Sequence, residues 1–244
     1  MNPIERASIT HLINAAARIV FLGGAGVSTA SGIPDFRSAT GLYNQERQTK
    51  YAPETLLSYH FMVRHPEEFY AYLRENLHYP QAEPNQAHFS LARLEAAKPN
   101  TNVITQNIDG LHQKAGSRNV LEIHGNIERF YCLKCGHDYS SALVWELSEV
   151  PRCPVCGGLI RPDVVLYGEL LDEELVEQAH RTVSAAELMI IGGTSLVVYP
   201  AAGLIHYFRG KNLILINRDP TPYDSIASFV LHGDLGQILN ELIT

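Results

Sequence analysis

The chain has 244 residues, of which 45% are hydrophobic and 18% are charged, and its formal net charge is −7. This balance excludes a disordered acidic chain, and the length favours one or two domains with a buried core. The acidic balance argues against a general nucleic-acid binder, and four cysteines are too few for a disulfide scaffold.

Membrane targeting is not predicted. Residues 1–20 lack a basic region followed by an apolar core, so they do not form a signal peptide. Residues 188–208 contain no Asp, Glu, Lys or Arg and are long enough to span a bilayer. Gly192, Gly193 and Pro200 interrupt them, however, and a buried strand, a turn and a helix explain them better. We therefore expect a soluble, cytoplasmic protein.

Predicted helices and strands alternate along most of the chain. The first part is expected to hold a helix over 3–17, a strand over 18–22, a polar mobile loop over about 40–55, and helices over about 54–59, 66–77 and 85–97. The middle is expected to hold a strand over 102–105, a short helix over 111–115 and a strand over 120–123. The last part is expected to hold a strand over 164–167, a helix over 172–183, a strand over 188–191, a helix over 200–208, a strand over 212–216 and a helix from about 235.

This alternation predicts an α/β fold, with a Rossmann-like parallel sheet and helices on both of its faces. The apolar runs at 19–22 (IVFL), 188–191 (LMII) and 213–216 (LILI) are typical of strands that are covered on both sides. Residues 125–162 differ from this pattern, because they hold turn residues and all four cysteines but little periodicity.

The cysteines form two CxxC pairs, Cys132 with Cys135 and Cys153 with Cys156, and a glycine follows each pair. This spacing lets four thiolates converge on one tetrahedral zinc ion. The alternative is a pair of redox motifs, but neither pair begins a helix after a strand. Four protein ligands leave no position for a substrate, so the zinc is expected to be structural.

A glycine turn at 24–26 (GAG) follows the first predicted strand. Such a turn lets backbone N–H groups approach a pyrophosphate. The third glycine of the Rossmann fingerprint is replaced by Thr29, and no acidic residue ends a strand about 20 residues later, so a plain strand–helix turn remains an alternative. Polar clusters at 105–109, 193–195 and 217–219 also follow strands, which favours an extended dinucleotide such as NAD over a single phosphate.

Together these motifs resemble the sirtuins, which are NAD-dependent protein lysine deacylases. The residues that carry the resemblance are 24–37 (GAGVSTASGIPDFR), 105–109 (TQNID), 124–125 (HG), the paired CxxC motifs, 193–195 (GTS) and Asn217. The resemblance implies a Rossmann-like NAD-binding domain made of residues 1–124 and 163–244, with a mobile cofactor loop and helical segment at about 38–80. It also implies a zinc-binding module, residues 125–162, inserted into that domain.

The resemblance assigns cofactor contacts position by position. Asn107 and Asp109 would form the nicotinamide pocket and belong to the catalytic set, and Phe36 and Arg37 would lie over the ribose and nicotinamide. The other expected NAD contacts are Gly24, Ala25, Gly26, Thr29, Ile33, Asp35, Gln106, Ile108, Gly193, Thr194, Ser195, Asn217 and Leu235.

The resemblance also makes His124 the general base. An imidazole titrates near neutral pH and can accept a proton from a ribose hydroxyl. In the implied reaction, the acyl-lysine oxygen attacks C1′ of the nicotinamide ribose and nicotinamide leaves from a shielded pocket. His124 then activates a ribose hydroxyl, and the acyl group ends on ADP-ribose.

Acylated lysine-containing proteins or peptides are the expected partners, bound between the zinc module and the main domain. Residues 164–169 (VVLYGE) resemble the family strand that pairs with the peptide, although a plain core strand is the alternative. The expected peptide and acyl contacts are Tyr70, Val164, Val165, Leu166, Tyr167, Gly168 and Glu169. The family commonly has Phe where Tyr167 stands, so this position leaves the acyl preference open.

Sirtuins that prefer succinyl or malonyl lysine carry a Tyr-x-x-Arg motif. Here Leu73 occupies the arginine position after Tyr70, and Arg74 lies one residue later, about 100° around a helix. We therefore expect Arg74 to be exposed and neutral acyl groups to be preferred, acetyl first and longer aliphatic chains second. We expect a monomer that binds neither nucleic acid nor membrane.

Three other functions are alternatives: a sirtuin-like mono-ADP-ribosyltransferase, a non-enzymatic NAD sensor and a zinc-ribbon nucleic-acid binder. The presence of His124, Asn107 and Asp109 disfavours the first two, and the net charge of −7 disfavours the third.

Overall fold

The computed structural model describes residues 1–36, 41–43 and 50–243. The helices are α1 (Pro3–Ala15), α2 (Pro53–Leu56), α3 (Tyr59–Arg64), α4 (Pro66–Asn76), α5 (Gln86–Ala97), α6 (Leu111–Lys114), α7 (Ser141–Glu146), α8 (Glu173–Ala185) and α9 (Leu235–Leu242). The strands are β1 (Ile19–Gly23), β2 (Thr101–Thr105), β3 (Val120–Glu122), β4 (Gly125–Cys132), β5 (Asp138–Ser140), β6 (Ile160–Val164), β7 (Leu188–Gly192), β8 (Asn212–Asn217) and β9 (Phe229–His232). Short 3-10 helices span Ala25–Val27, Thr29–Ser31, Ala201–Tyr207 and Asp224–Ile226.

The large sheet has six parallel strands in the order β3–β2–β1–β7–β8–β9. Strands β4–β6 belong elsewhere, so the chain visits this sheet in the order of a doubly wound dinucleotide-binding fold. The strand order reverses between β1 and β7, which are paired from Ile19 with Leu188 to Gly23 with Gly192. Ligands of such sheets bind outside the carboxyl ends of the strands at this switch point.

Helices cover both faces of the large sheet, as the apolar runs predict. Side chains alternate between the faces along a strand, so Phe21 packs into one core while Val20 and Leu22 pack into the other. The core around Phe21 lies under α1, α5 and α9, and the opposite core lies under α8 and the 3-10 helix at 201–207. The predicted α/β fold is confirmed.

The cysteine segment forms a second sheet of three antiparallel strands in the order β5–β4–β6. Its apolar side shares a third core with α2, α3 and α4, in which Phe69 and Tyr70 pack with Phe130 and Ile160.

The predicted strand over 164–167 is wrong in its extent. Strand β6 starts earlier, pairs with β4 in the small sheet and ends at Val164. The expected domain boundary between residues 162 and 163 therefore falls inside a strand. Residues 165–167 continue as an extended segment, in which Tyr167 forms an isolated bridge with Ser58.

Residues 188–208 form β7, a turn and the 3-10 helix at 201–207, which bears out the interpretation given to them. The predicted helix over 200–208 is of the 3-10 type, in which Gly203 N–H bonds to the Pro200 carbonyl three residues earlier. In the described ranges, every helix is too short or too polar to cross a bilayer. Of the predicted loop over about 40–55, residues 40 and 44–49 lie outside the described residues, and residues 53–55 begin α2.

Candidate functional site

A cavity of about 1470 Å³ lies at the carboxyl ends of the large sheet and extends to the segment after β6. Every cofactor position expected from the sequence lines this cavity where the structure describes it. Arg37 is the one expected cofactor residue that lies outside the described residues. The strand ends predicted to meet at one edge of the sheet therefore do meet there.

The turns after β1 and β7 touch backbone to backbone. Gly26 donates its N–H to the Gly193 carbonyl over 2.8 Å, and a Cβ on Gly26 would lie 2.8 Å from Gly193 Cα. Gly193 itself has φ +61°, a conformation that side chains disfavour. Glycine is therefore required on both sides of the switch point. The backbone leaves the turn through two 3-10 helices rather than one long helix.

Asn107 and Asp109 meet through Ser28, a residue that the sequence analysis did not single out. The Ser28 hydroxyl donates to Asp109 Oδ2 over 2.6 Å and accepts from Asn107 Nδ2 over 3.0 Å. The Leu111 N–H donates to Asp109 Oδ1 over 2.9 Å. Burial raises the pKa of Asp109, and these hydrogen bonds oppose the rise. The network holds both predicted nicotinamide-pocket residues in one orientation.

His124 lies in the loop between β3 and β4 and faces the cavity. Its Nδ1 is 2.9 Å from the Gln106 carbonyl oxygen, which can only accept, so Nδ1 carries the hydrogen. The neutral ring then has an unprotonated Nε2. Burial lowers the pKa of His124 below its ordinary 6.5, and the bond to Gln106 opposes only part of this effect. The residue is therefore a neutral base at pH 7.

Asn85 is a second site residue that the sequence analysis missed. It is the N-cap of α5 and accepts the Ala87 N–H over 2.9 Å. Its amide nitrogen donates to the Val27 carbonyl over 2.8 Å and to the Ser31 hydroxyl over 2.9 Å. An asparagine before a helix predicts a cap, but only the fold shows that the same side chain ties α5 to the glycine turn.

The segment after β6 lines the cavity, and backbone hydrogen bonds join it to other parts of the chain. Val165 donates its N–H to the His124 carbonyl over 3.0 Å, and Tyr167 donates to the Leu57 carbonyl over 3.0 Å. Tyr59 donates its N–H to the Tyr167 carbonyl over 3.1 Å. N–H groups of successive residues point in opposite directions in an extended chain, and the N–H of the intervening Leu166 donates to Glu169 Oε2 over 2.9 Å.

Tyr70, expected among the acyl contacts, is fully buried and stands apart from the described wall of the cavity. Its hydroxyl donates to the Ile160 carbonyl of the small sheet. Leu73, less than one turn later, does line the cavity. Arg74 was expected to be exposed, but it is only partly accessible, because it packs over the Tyr70 ring and donates to the Glu149 carbonyl over 2.8 Å.

The four cysteine Sγ atoms lie within 4.8 Å of one another. Cys132 and Cys156 are 3.5 Å apart at sulfur, and Cys135 and Cys153 are 3.7 Å apart. A tetrahedral zinc ion with Zn–S bonds of about 2.3 Å places its sulfurs about 3.8 Å apart, so the donor set fits this ion. The Tyr139 hydroxyl donates to the Cys153 sulfur over 3.0 Å, which adds a hydrogen bond to one thiolate.

Comparisons with known proteins agree with this geometry. A family model described as the Sir2 family matches residues 24–200. A Clostridium perfringens protein named NAD-dependent protein deacetylase is 50% identical, and the match covers 96% of this chain and 97% of that protein. A solved structure of Sir2 with a p53 peptide and NAD+ is 41% identical with TM-score 0.85, covering 99% of this chain and 97% of the other. A Sir2 variant with a deacetylated p53 peptide and 3′-O-acetyl ADP ribose is 40% identical with TM-score 0.87, covering 97% and 96%.

Proposed function

Because the chain belongs to the Sir2 family, we propose that His124 is its general base and that Asn107 and Asp109 hold nicotinamide. The chain is an NAD-dependent protein deacetylase. It cleaves nicotinamide from NAD and transfers the acyl group of a lysine to ADP-ribose.

The residues at the switch point fit NAD. The glycine turn at 24–26 lines the cavity at the switch point and carries only small side chains, so a pyrophosphate can approach its backbone closely. Thr194 and Ser195 follow β7, and Asn217 ends β8. All three line the cavity and supply polar groups for phosphate and ribose. NAD itself supplies the reactive ribose carbon, which becomes electrophilic as nicotinamide leaves.

Asn107 and Asp109 are proposed to bind the nicotinamide amide. Ser28 uses the Asn107 amide nitrogen and one Asp109 oxygen, and it thereby fixes both side chains without consuming the Asn107 carbonyl oxygen. Ile33 and Ile108 line the same part of the cavity and exclude water from the bond that breaks. The two polar side chains are therefore preorganised before NAD binds.

His124 is proposed to take a proton from a ribose hydroxyl at Nε2. The observation that carries this role is the Nδ1 contact with the Gln106 carbonyl, because it leaves Nε2 as the acceptor in a residue that lines the cavity. Gln106 also donates its side-chain amide to Thr194 over 3.2 Å, which ties its strand end to the strand end after β7. The base is thus held by the same edge of the sheet that binds the cofactor.

The acylated peptide is proposed to bind beside residues 164–169. This segment lines the cavity directly after β6, so a peptide that lies in the cavity can run alongside its backbone. Leu73 and Leu166 line the cavity near this segment and provide an apolar surface for the acyl group. This surface supports a preference for neutral acyl groups.

The cysteines also bear on the compartment. Four thiolates available for zinc suit a reducing environment, which supports a cytoplasmic location. The expected monomer remains a prediction.

The test is deacetylation of an acetyl-lysine peptide with simultaneous measurement of NAD consumption. We expect activity from the wild type and a loss of at least about 100-fold in His124→Ala, which is typical when a general base is removed. His11→Ala, an exposed histidine on α1, is the matched control and should keep full activity. Deacetylation by His124→Ala at the wild-type rate would falsify the assignment of the base.

A further inference from the structure

A buried arginine lies behind the segment that lines the cavity. Arg161 belongs to β6 and its side chain is only 3% exposed. Its guanidinium donates to both carboxylate oxygens of Glu169, over 2.5 and 2.7 Å. It also donates to the Val164 carbonyl over 2.6 Å and to the Pro162 carbonyl over 3.1 Å. One side chain therefore holds both ends of the segment that runs from β6 to residue 169.

Glu169 completes this arrangement from the other end of the segment. Its Oε2 also accepts the Leu166 N–H over 2.9 Å, and its own N–H donates to the Leu166 carbonyl over 3.0 Å. Burial would raise the pKa of Glu169, but the hydrogen bonds and charge of Arg161 outweigh burial and hold the pKa below its ordinary value. The carboxylate is thus committed to the chain's own groups.

Aromatic rings enclose the arginine. The Arg161 guanidinium lies 5.8 Å from the ring centre of Tyr59 and 5.6 Å from that of Tyr131, within the range of cation–π contacts. Tyr59 also donates its N–H to the Tyr167 carbonyl. The residues around the arginine therefore include one that is bonded directly to the cavity-lining segment.

Stability alone does not explain such a pair. The cost of desolvating two charges often cancels their attraction, and apolar residues of similar volume can replace a buried pair without loss of stability. What apolar residues cannot supply is the fork of directed hydrogen bonds that fixes Val164 and Glu169 relative to each other. The expected effect of the pair is therefore on the shape of the segment.

We propose that Arg161 and Glu169 are positioning residues that hold the segment 164–169 in the shape that receives the acyl-lysine peptide. Glu169, expected from the sequence to contact the substrate, would then act through the segment rather than on the peptide. This inference rests on the proposed function, since it takes that segment as the peptide site.

The test is the double variant Arg161→Met/Glu169→Met, which removes both charges and keeps the side-chain volumes close. We expect a folded protein with wild-type zinc content, a roughly tenfold higher KM for the acetyl-lysine peptide, and an unchanged KM for NAD, because a loosened site costs binding through lost preorganisation. Arg161→Lys keeps the charge without the fork and should raise the peptide KM by a smaller factor.

Arg129→Met is the matched control. Arg129, on β4 of the small sheet, also pairs with carboxylates, Glu122 at the end of β3 over 2.6 Å and Asp163 on β6 over 2.8 Å, but it does not line the cavity. Its variant should keep the wild-type peptide KM. A wild-type peptide KM in the double variant would overturn the proposal, as would an equal rise in Arg129→Met or a parallel rise in the KM for NAD. If the wild type itself fails to deacetylate the peptide, the proposed function fails instead.

Discussion

His124 illustrates how a backbone carbonyl can set the chemistry of a side chain. The Gln106 carbonyl accepts from Nδ1, so the proton-accepting nitrogen is Nε2 in the neutral ring. Because burial lowers the pKa of His124 from 6.5, the neutral form persists to a lower pH than in a free histidine. The sign of the shift therefore favours base catalysis throughout the neutral range.

This shift predicts the pH dependence of the enzyme. The kcat/KM for the peptide should fall in acid with a midpoint below pH 6.5, because the pKa of His124 is lowered and protonation of Nε2 removes the base. The measurement is kcat/KM between pH 5 and 8, with thermal melting at each pH to separate titration from unfolding. An acid limb centred above pH 6.5 would contradict the assigned direction of the shift.

At the scale of single residues, motifs predicted which side chains line the cavity but not how they are held. Ser28 lies inside the GAGVST motif, yet a serine in a turn has many roles, and only folding brings it to Asp109, 81 positions away. Asn85 was predictable as a helix cap and unpredictable as a tie to Val27. Glu169 matched a family position, but its carboxylate bonds Arg161.

At the scale of elements, strong periodicity was a reliable guide. The helices α1, α4 and α5 and the strands β1, β7 and β8 were expected within about two residues of their observed ends, because their apolar patterns match one period. The missed elements include β4, β5 and α7 of the cysteine segment, whose sequence shows little periodicity, together with β9 and α3. Strand β9 lies at the edge of the sheet and only one of its residues is fully buried, and α3 is a short helix that directly follows α2 and precedes α4.

The orientation of helix α4 predicts which acyl groups the enzyme prefers. The helix presents Leu73 to the cavity and turns Arg74 towards the Glu149 carbonyl of the small module. A succinyl carboxylate would therefore enter an apolar site with no cation from this helix, and burying an unpaired charge is costly. We expect kcat/KM for a succinyl-lysine peptide to be at least about 100-fold below that for the acetyl peptide, with a propionyl peptide close to acetyl.

The check is a panel of peptides of one sequence with acetyl, propionyl and succinyl groups. Arg74→Met is the matched control, because a side chain that stands outside the cavity wall should not change the ratio of succinyl to acetyl activity. Comparable rates for acetyl and succinyl peptides, or a ratio that shifts in Arg74→Met, would show that a cation does reach the acyl group.

At the scale of the whole molecule, the hydrophobic cores group the helices and strands differently from the domains expected from the sequence. Both cores of the large sheet are built, among the described residues, without any from the small sheet. The third core joins α2, α3 and α4 to the small sheet, and it contains Cys132 and Cys153. We propose that the helical segment and the zinc-bearing segment form one folding unit, although residues 77–124 lie between them in sequence. Cysteine spacing predicted the metal, but no periodic pattern could predict this shared core.

Removing zinc should therefore unfold part of the molecule. Binding of a structural zinc ion is itself folding free energy, about 10–16 kcal/mol in small zinc modules. After treatment with a chelator, or in Cys153→Ser, we expect amide protection to fall in α2–α4 and β4–β6 while β1, β2, β7 and β8 stay protected. Hydrogen exchange measured by mass spectrometry resolves these segments.

Deacetylation should stop, because the segment after β6 loses its support, and zinc added back to the chelated wild type should restore both protection and activity. Equal loss of protection in the large sheet would show that the two units fold as one.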